Sequence, residues 1–276
     1  MCTSKFRASA LKLALVALLG LDAAGCDDPT ATRLAAPLAG IRMFLIVDPD
    51  EPSQPLLIKP ADEGGLLANV RVEIRTADGQ LVPTRILPPE YEGFELQPCI
   101  RRYGSIVGGN AAVCLDLEFA VQKGERYEVR VLADGQPTAS ARFTVPGAFA
   151  LLQATADGGP SAPTQLDVQW TPSAEAYRYL VAVRPTTPPP CVEQGSCQRN
   201  WFAATTETSL VTTVPEGELD GAAGPYFVDV YAVDRAIYEY ITSGVAENLF
   251  PVSPVQNVEG GRGAAGAWVR QSRQLP

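Results

Sequence analysis

The chain has 276 residues and a formal charge of −9, with 31 acidic residues against 22 basic ones and no histidine. An acidic surface repels phosphate backbones, which excludes nucleic acid as a partner class. Without histidine the chain can build neither a Ser-His-Asp triad nor a Cys-His pair, and the common zinc sites lose their nitrogen ligand. We therefore predict no catalytic residue, no metal ion, no cofactor and no enzyme activity.

Residues 1–25 have the layout of a secretory signal. Basic residues come first (Lys5, Arg7 and Lys12), an apolar run follows, and small residues then lead into a cysteine at Ala23-Ala24-Gly25-Cys26. This order of positive, apolar and small residues is typical of an exported chain. The apolar run has about ten residues, too few for the roughly 20 that a membrane-spanning helix needs. We predict export and cleavage before Cys26.

The stretch 23–26 resembles the lipobox of bacterial lipoproteins, although Ala23 stands where that family prefers leucine. The resemblance implies that the thiol of Cys26 carries a diacylglyceryl group. Ordinary cleavage nearby, without lipid, is the alternative. Residues 26–40 are small, polar and proline-bearing, which is typical of a flexible tether. The lipid makes a membrane an expected partner, and the expected location is the cell envelope, at the outer membrane, with the side that it faces left open.

From 41 to 146, apolar residues alternate with polar ones in several short series. The series run over 70–74, 113–119, 127–131 and 139–145. Alternation with a period of two is typical of strands that are buried on one face. Asp78-Gly79 and Asp134-Gly135 separate neighbouring series, and an Asp-Gly pair in such a place indicates a hairpin turn. The segment predicts a first β-sandwich.

Residues 147–250 show the same alternation, with large aromatic residues at Trp170, Tyr179 and Tyr226. The three aromatic residues, with Pro172 in the turn after Trp170, resemble the core positions of fibronectin type III and immunoglobulin-like sandwiches. The resemblance implies a packing role for these side chains. The segment predicts a second, fibronectin-III-like sandwich.

No stretch after the signal shows sustained helical periodicity, and 24 glycines and 24 prolines interrupt the chain at short intervals. Short strands between turn signals are typical of sandwiches and barrels. The expected fold class is all-β, with two consecutive immunoglobulin- or fibronectin-III-like β-sandwich modules. The second module ends at 250, and 251–276 is expected to be a glycine-containing tail.

Four cysteines follow the lipid site, as two close pairs: Cys99 with Cys114, and Cys191 with Cys197. An even number in an oxidising compartment indicates disulfides. Three pairings are open, of which the local one is the simplest. A loop of about 15 residues, as in the first pair, stabilises the fold by roughly 3 kcal/mol. Metal binding is the alternative, disfavoured because neither pair is a CxxC.

Two loops have residue types that bind ions in other proteins. The segment Asp48-Pro49-Asp50-Glu51 gathers carboxylates that suit calcium, but it lacks the order of an EF-hand, and its prolines favour a rigid acidic turn. Calcium near Asp48 and Asp50 stays open. The segment Gly260-Gly261-Arg262-Gly263 lacks the lysine of a P-loop. We predict a tight turn there, with glycine where φ is positive or backbones approach closely, bringing 264–268 back onto the second sandwich.

Four aromatic residues are candidates for recognition. Trp201 and Phe202 follow the Cys191–Cys197 loop, while Tyr238 and Tyr240 are predicted to share a face near the end of the second module. Aromatic side chains on loops at one end of a sandwich stack on sugar rings or anchor protein contacts. The alternative is that they pack onto the core.

The order of segments resembles a family of uncharacterised envelope lipoproteins that is common in Bacteroidota and related bacteria. The resemblance rests on Gly124-x-x-Tyr127-x-Val129-x-Val131, on the Trp170 strand with the tyrosines after it, and on 254–263, with Ala264 where an aromatic residue is usual. It implies a binding or accessory role in an outer-membrane nutrient-uptake assembly, beside a TonB-dependent receptor, or binding to a glycan. A structural or adhesive spacer is the first alternative. A carbohydrate-active enzyme that uses carboxylates is the weaker one.

Overall fold

The computed structural model describes residues 40–60, 67–88, 98–99, 112–134, 136, 138–157, 163–187, 201–215, 219, 223–242 and 257–275. Within these residues there are sixteen strands and a helix of eight residues, so the all-β prediction is confirmed. The elements are β1 (Ile41–Val47), β2 (Gln54–Pro60), β3 (Arg71–Thr76), β4 (Leu81–Val82), β5 (Thr84–Leu87), β6 (Val113–Phe119), β7 (Arg126–Leu132), β8 (Ala139–Thr144), β9 (Leu151–Asp157), β10 (Gln165–Trp170), β11 (Arg178–Thr187), β12 (Trp201–Thr205), β13 (Ser209–Thr213), β14 (Ala223–Val233), α1 (Arg235–Thr242), β15 (Val258–Glu259) and β16 (Gly261–Gln274).

The first sandwich packs two sheets of alternating sequence against each other. One sheet has the order β16-β1-β2-β6-β5, and the other has the order β15-β8-β7-β3-β4. Inward residues of β7 and β8, such as Tyr127, Val129 and Phe143, are buried, whereas the residues between them are more exposed. The period-two pattern of the sequence therefore marks the strand faces that build this core.

The second sandwich has a three-stranded sheet, β13-β10-β9, and a four-stranded one, β12-β11-β14-β16. Trp170 of β10 and Tyr179 of β11 meet between the sheets, with ring centroids 5.3 Å apart, and both side chains are buried. The hydroxyl of Tyr179 accepts a hydrogen bond of 2.7 Å from the amide of Ser173. Seven strands divided three and four are the architecture of immunoglobulin and fibronectin type III domains.

A single long strand, β16, belongs to both sandwiches. Its first half pairs in parallel with β1, from Gly261 to Ala267, and its second half pairs antiparallel with β14, from Trp268 to Gln274. The two principal sheets are thereby joined into one sheet of eight strands. The predicted tail at 251–276 is thus, over its described residues, a pair of strands that completes both sandwiches. The first sandwich includes residues from both ends of the chain rather than 41–146 alone.

The glycines at the start of β16 are needed where φ is positive and where two backbones approach closely, as the sequence predicts. The backbone that they approach, however, belongs to the first sandwich and not to the second. Gly263 has a φ of 114°, and a Cβ at this position would overlap the carbonyl oxygen of Met43 on β1. The close approach lets β16 pair with the first sandwich. Ala264 to Ala267 therefore lie against β1, and only from Trp268 onward does the strand reach the second sandwich.

A smaller apolar cluster covers the outer face of the joined sheet. Phe44, Ile46 and Leu57 point away from the main core, and Ile237 of α1 and Cys99 pack on them. This explains why nearly every residue of β1 is buried, as in strands that are covered on both faces. Cys99 is joined to Cys114 by a disulfide, which is one half of the local pairing. Cys191 and Cys197 lie outside the described residues, as does Cys26.

The helix α1 was not expected from the sequence. It spans Arg235–Thr242, directly after β14, and Asp234 begins it by accepting a hydrogen bond of 2.9 Å from the amide of Ile237. Aspartate is among the best residues at this capping position because its oxygen satisfies an amide that the helix leaves unpaired. The salt bridge from Arg235 to Glu239, one turn later, adds a modest stabilisation.

Candidate functional site

A cavity opens where the two sandwiches meet. We call it the junction groove. It has a volume of about 820 Å³, and it is lined by Arg142, Phe143 and Thr144 of β8, by Glu175, Ala176 and Tyr177 before β11, by Asp234, Arg235, Ala236 and Glu239, and by Asn257. Most of the lining is polar or aromatic, and both sandwiches contribute side chains. Its volume falls within the range of small-molecule pockets, about 300–1,000 Å³.

The junction groove keeps its shape because the backbone is tied on both sides of it. The amide of Gly147 donates to the carbonyl of Ala174 at 2.7 Å, and the hydroxyl of Ser173 donates to the carbonyl of Gly147 at 2.6 Å. Asn257 donates from its side chain to the carbonyl of Ala265 at 2.6 Å and accepts from the Ala265 amide at 3.0 Å. These bonds add to the shared strand β16, so the walls are held in one arrangement.

Tyr177 is the aromatic centre of the groove wall. Its ring meets that of Tyr238 edge-on, with centroids 5.6 Å apart. The guanidinium groups of Arg178 and Arg235 lie 4.6 Å and 5.7 Å from its centroid. A cation within about 6 Å of an aromatic ring is attracted by the electrons of the ring face. The guanidinium of Arg235, which belongs to the groove lining, is therefore attracted to the Tyr177 ring.

Charged side chains of both signs ring the groove, each with a partner. Arg235 pairs with Glu239 at 2.7 Å, and Glu175 pairs with Arg126 of the first sandwich at 3.3 Å. The side chains of Arg235 and Arg142 are 72% and 74% exposed. Exposed ion pairs are worth little, about 0–1 kcal/mol each. These arginines can consequently exchange their present partners for a ligand at low cost.

Asp234 is the one buried acid of the groove wall. Only 6% of the residue is exposed, and burial raises the pKa of its carboxyl from 3.8 to about 7, against the opposing effect of hydrogen bonds from the amides of Ile237 and Ala267. A Cβ on Gly266 would overlap both of its oxygens. Glycine at 266 therefore makes the room in which Asp234 caps the helix beside β16.

The structure separates the aromatic residues that the sequence grouped. Tyr238 and Tyr240 lie in a helix, where residues two apart point to nearly opposite sides, so they do not share a face. Tyr238 meets Tyr177 at the groove, whereas Tyr240 packs on Phe44 with ring centroids 4.6 Å apart. Burial raises the pKa of Tyr240 to about 12. Tyr240 is therefore a packing residue.

Trp201 and Phe202 begin β12, and their backbone pairs with Val183 and Ala182 of β11. Both residues thus lie on the edge strand of the four-stranded sheet rather than in a loop. Recognition by these two residues stays a prediction.

The acidic loop at Asp48 is a closed turn whose carboxylates have partners within the chain. Asp48 is buried and accepts hydrogen bonds from the Asp50 amide at 3.1 Å and from the Trp268 indole at 2.8 Å. Asp50 pairs with Lys123 at 2.7 Å. In the described part of the chain, no group of three or more His, Cys, Asp or Glu side chains is placed to hold a metal ion. The contacts of Asp48 and Asp50 are those of a closed turn, and calcium binding there stays open.

The sequence reasoning missed most of the groove residues. Arg142 and Glu175 are surface charges in alternating strands and turns, and only the fold brings them together. A signal did exist for Asp234, because an aspartate followed by a salt-bridge pair four residues apart, Arg235 and Glu239, is typical of the start of a helix. Across the described residues, no helix has the length and apolar character needed to cross a membrane.

No family model matches the chain, and no curated protein matches it. Among solved structures, it is similar to a segment of two fibronectin type III domains from chicken tenascin, with 12% identity over 71% of this chain and 92% of that one and a TM-score of 0.21. It is also similar to the FN1–FN3 domains of chicken CNTN1, with 16% identity over 86% of this chain and 64% of that one and a TM-score of 0.20. At such values neither protein lends its function to this one, and the resemblance to envelope lipoproteins rests on the residues quoted for it.

Proposed function

We propose that the chain is a lipid-anchored binding protein of the cell envelope, an accessory component of an outer-membrane assembly that takes up nutrients. The lipid on Cys26 holds it to the membrane, and the tether of 26–40 lets the folded body reach a partner. The observation that carries the binding role is the junction groove. A spacer needs only two stiff modules, whereas the groove adds a cavity of about 820 Å³ that is lined by charged, polar and aromatic side chains of both modules.

The lining of the junction groove favours a polar partner. Arg142 and Arg235 offer exposed guanidinium groups, and Thr144 offers a smaller polar group beside them. Such a surface suits a polar segment of a protein, such as a loop of a TonB-dependent outer-membrane receptor, or the hydroxyl groups of a glycan. The ring faces of Tyr177 are approached by arginines, which favours the protein segment over a stacked sugar.

A spacer or adhesive role is the second candidate, and one observation favours it. Tyr238 and Tyr240, two of the four predicted recognition residues, make their ring contacts with Tyr177 and Phe44 of the same chain. The shared strand β16 would also transmit force between the sandwiches.

A carbohydrate-active enzyme is the weaker candidate, because Asp234, Glu239 and Glu118 are engaged within the chain. Asp116 keeps one buried carboxylate oxygen without a hydrogen-bond partner among the described residues. Asp234 caps α1, and Glu239 is paired with Arg235. On β6, Glu118 is paired with Arg85, Nε to Oε2 at 2.6 Å, beside the half-buried Asp116. A glycosidase needs two carboxyl groups that are available on opposite sides of one bond.

The proposal is tested by purifying the tagged full chain from the membranes of its own bacterium in mild detergent and identifying the proteins that accompany it by mass spectrometry. We expect a stoichiometric outer-membrane receptor and an N-terminal peptide that carries lipid on Cys26. The matched control is Cys26→Ser, which should leave the membrane fraction and lose the receptor. An unmodified Cys26, or a chain that purifies alone at full yield, would contradict the proposal.

A further inference from the structure

The strand β13 offers an unpaired edge with a regular array of hydrogen-bonding groups. It pairs with β10 on one side, and no strand of the described chain pairs with it on the other. The amide of Trp170 donates to the Thr208 carbonyl at 2.9 Å, and the amide of Val214 donates to the Thr164 carbonyl at 3.0 Å. Hydrogen-bonded positions alternate along an antiparallel pair, so the even-numbered residues of β13 face β10. The amides and carbonyls of the odd-numbered residues consequently point out of the sheet edge.

The side chains at these odd-numbered positions are exposed, small or branched, and uncharged. Ser209, Val211 and Thr213 are all exposed, and Val211 is 66% exposed, the highest value for a large hydrophobic residue of the described chain. β-Branched residues favour strand pairing, and an edge without charge or proline is an open template for another strand.

The edge strands of the first sandwich, within the described chain, carry features that hinder pairing. β5 lies between Pro83 and Pro88 and has the salt bridge from Arg85 to Glu118. β4 and β15 have two residues each. Proline, charge and shortness are the means by which sheet edges are kept from associating. β13 contains no proline and no charged residue within Ser209–Thr213, although Glu207 precedes it and Pro215 follows it.

We propose that β13 pairs with β13 of a second copy of this chain, antiparallel and about a two-fold axis at Val211. In that register Val211 faces its own equivalent, and Ser209 faces Thr213 of the other copy. The outward groups of 209, 211 and 213 then all find partners, because odd positions meet odd positions. A two-fold contact requires a surface that is complementary to itself, and this edge meets the requirement. The two three-stranded sheets become one sheet of six strands. The inference is independent of the function proposed for the junction groove.

Cysteine cross-linking tests the register. In the full chain, Val211→Cys places two thiols opposite each other, at a Cα separation of about 5.5 Å, within the range that a disulfide spans. Ser209→Cys is the register control, because its equivalent in the other copy lies four residues away along the strand, roughly 13 Å. Leu152→Cys is the control for random collision, because Leu152 is 59% exposed on the opposite edge strand, β9. We expect oxidation to link only Val211→Cys into dimers above the level of the parent chain.

Sedimentation equilibrium in mild detergent then measures the association itself. We expect the parent chain to have twice its monomer mass of 29.4 kDa, before removal of the signal, and Val211→Lys to remain a monomer because two lysines would face each other. Leu152→Lys should remain a dimer. A monomeric parent chain overturns the proposal. Equal cross-linking at 211 and 152, or attachment of Val211→Cys to a different protein in membrane extracts, overturns it as well.

Discussion

Replacing Asp234 by asparagine tests whether the buried acid at the junction groove makes stability depend on pH. The asparagine side chain keeps an oxygen for the Ile237 amide, and asparagine and aspartate cap helices about equally well. The change therefore removes the titration while it keeps the cap. Asp157→Asn makes the same chemical change on the exposed end of β9 and serves as the matched control.

The raised pKa of Asp234 decides whether stability rises or falls with pH. Between pH 4 and pH 7 the folded chain holds a proton on Asp234 that the unfolded chain has released, because the pKa is about 7 in the fold against 3.8 as the ordinary value. The contribution to stability is therefore fully present below pH 3.8 and is lost as the pH rises through 7. From pH 5 to a pKa of about 7 is a difference of about two, and each pH unit corresponds to about 1.36 kcal/mol. We expect Asp234 to cost the fold about 3 kcal/mol between pH 5 and pH 8.

The assay is urea unfolding at pH 5 and pH 8, followed by tryptophan fluorescence, for the parent chain and both variants. Relative to the parent, Asp234→Asn should gain about 3 kcal/mol in the free energy of unfolding between the two pH values. Asp157→Asn should give no gain of that size. If Asp234→Asn and the parent lose or gain stability in parallel, the carboxyl is not protonated in the fold and the argument from burial fails.

Three further substitutions test the parts that hold the groove together. Gly263→Ala should lower the free energy of unfolding in urea by about 3 kcal/mol or more, because the added Cβ overlaps β1 and the φ is unfavourable for alanine. The control Gly79→Ala, also at a positive φ but in open space, should lower it by about 1–2 kcal/mol. Equal losses for the two variants would contradict the close approach of β16 to β1. Ile237 is a fully buried residue of the outer cluster, so Ile237→Ala should lower the free energy of unfolding by about 2–5 kcal/mol and expose the amides of β1 to hydrogen exchange. An unchanged midpoint of urea unfolding would mean that α1 does not pack there. Cys114→Ser should cost roughly 3 kcal/mol, and reduction of the parent chain should cost the same; insensitivity to reduction would contradict the disulfide.

The alternating strands were predictable because their signal is local. Each inward residue of β7 and β8 stands two positions from the next, and the Asp-Gly pairs mark the turns between series. The resemblance to fibronectin type III sandwiches implied core positions for Trp170 and Tyr179, and both side chains are buried.

The partners of β16 were not predictable because pairing over such a separation leaves no local mark. No pattern in residues 261–274 predicts that one half of the strand lies beside β1 and the other half beside β14. The helix α1 was missed for a different reason. Eight residues are too few for a helical period to stand out from a run of tyrosines, so only the cap at Asp234 and the pair of Arg235 with Glu239 indicated it. The junction groove depends on both features.

The central claim, that the junction groove binds a partner at the envelope, is tested most directly by reversing the charges of its wall. The double variant Arg142→Glu and Arg235→Glu changes two exposed side chains, and Arg71→Glu with Arg85→Glu makes the same change in net charge at exposed side chains away from the groove. Each protein is purified from native membranes, and the amount of accompanying receptor is measured by quantitative mass spectrometry. We predict that the amount of receptor that accompanies the groove variant falls at least about tenfold, which corresponds to about 1.4 kcal/mol of binding free energy. The control variant should recover as much receptor as the parent chain. Equal recovery from both variants would contradict the account.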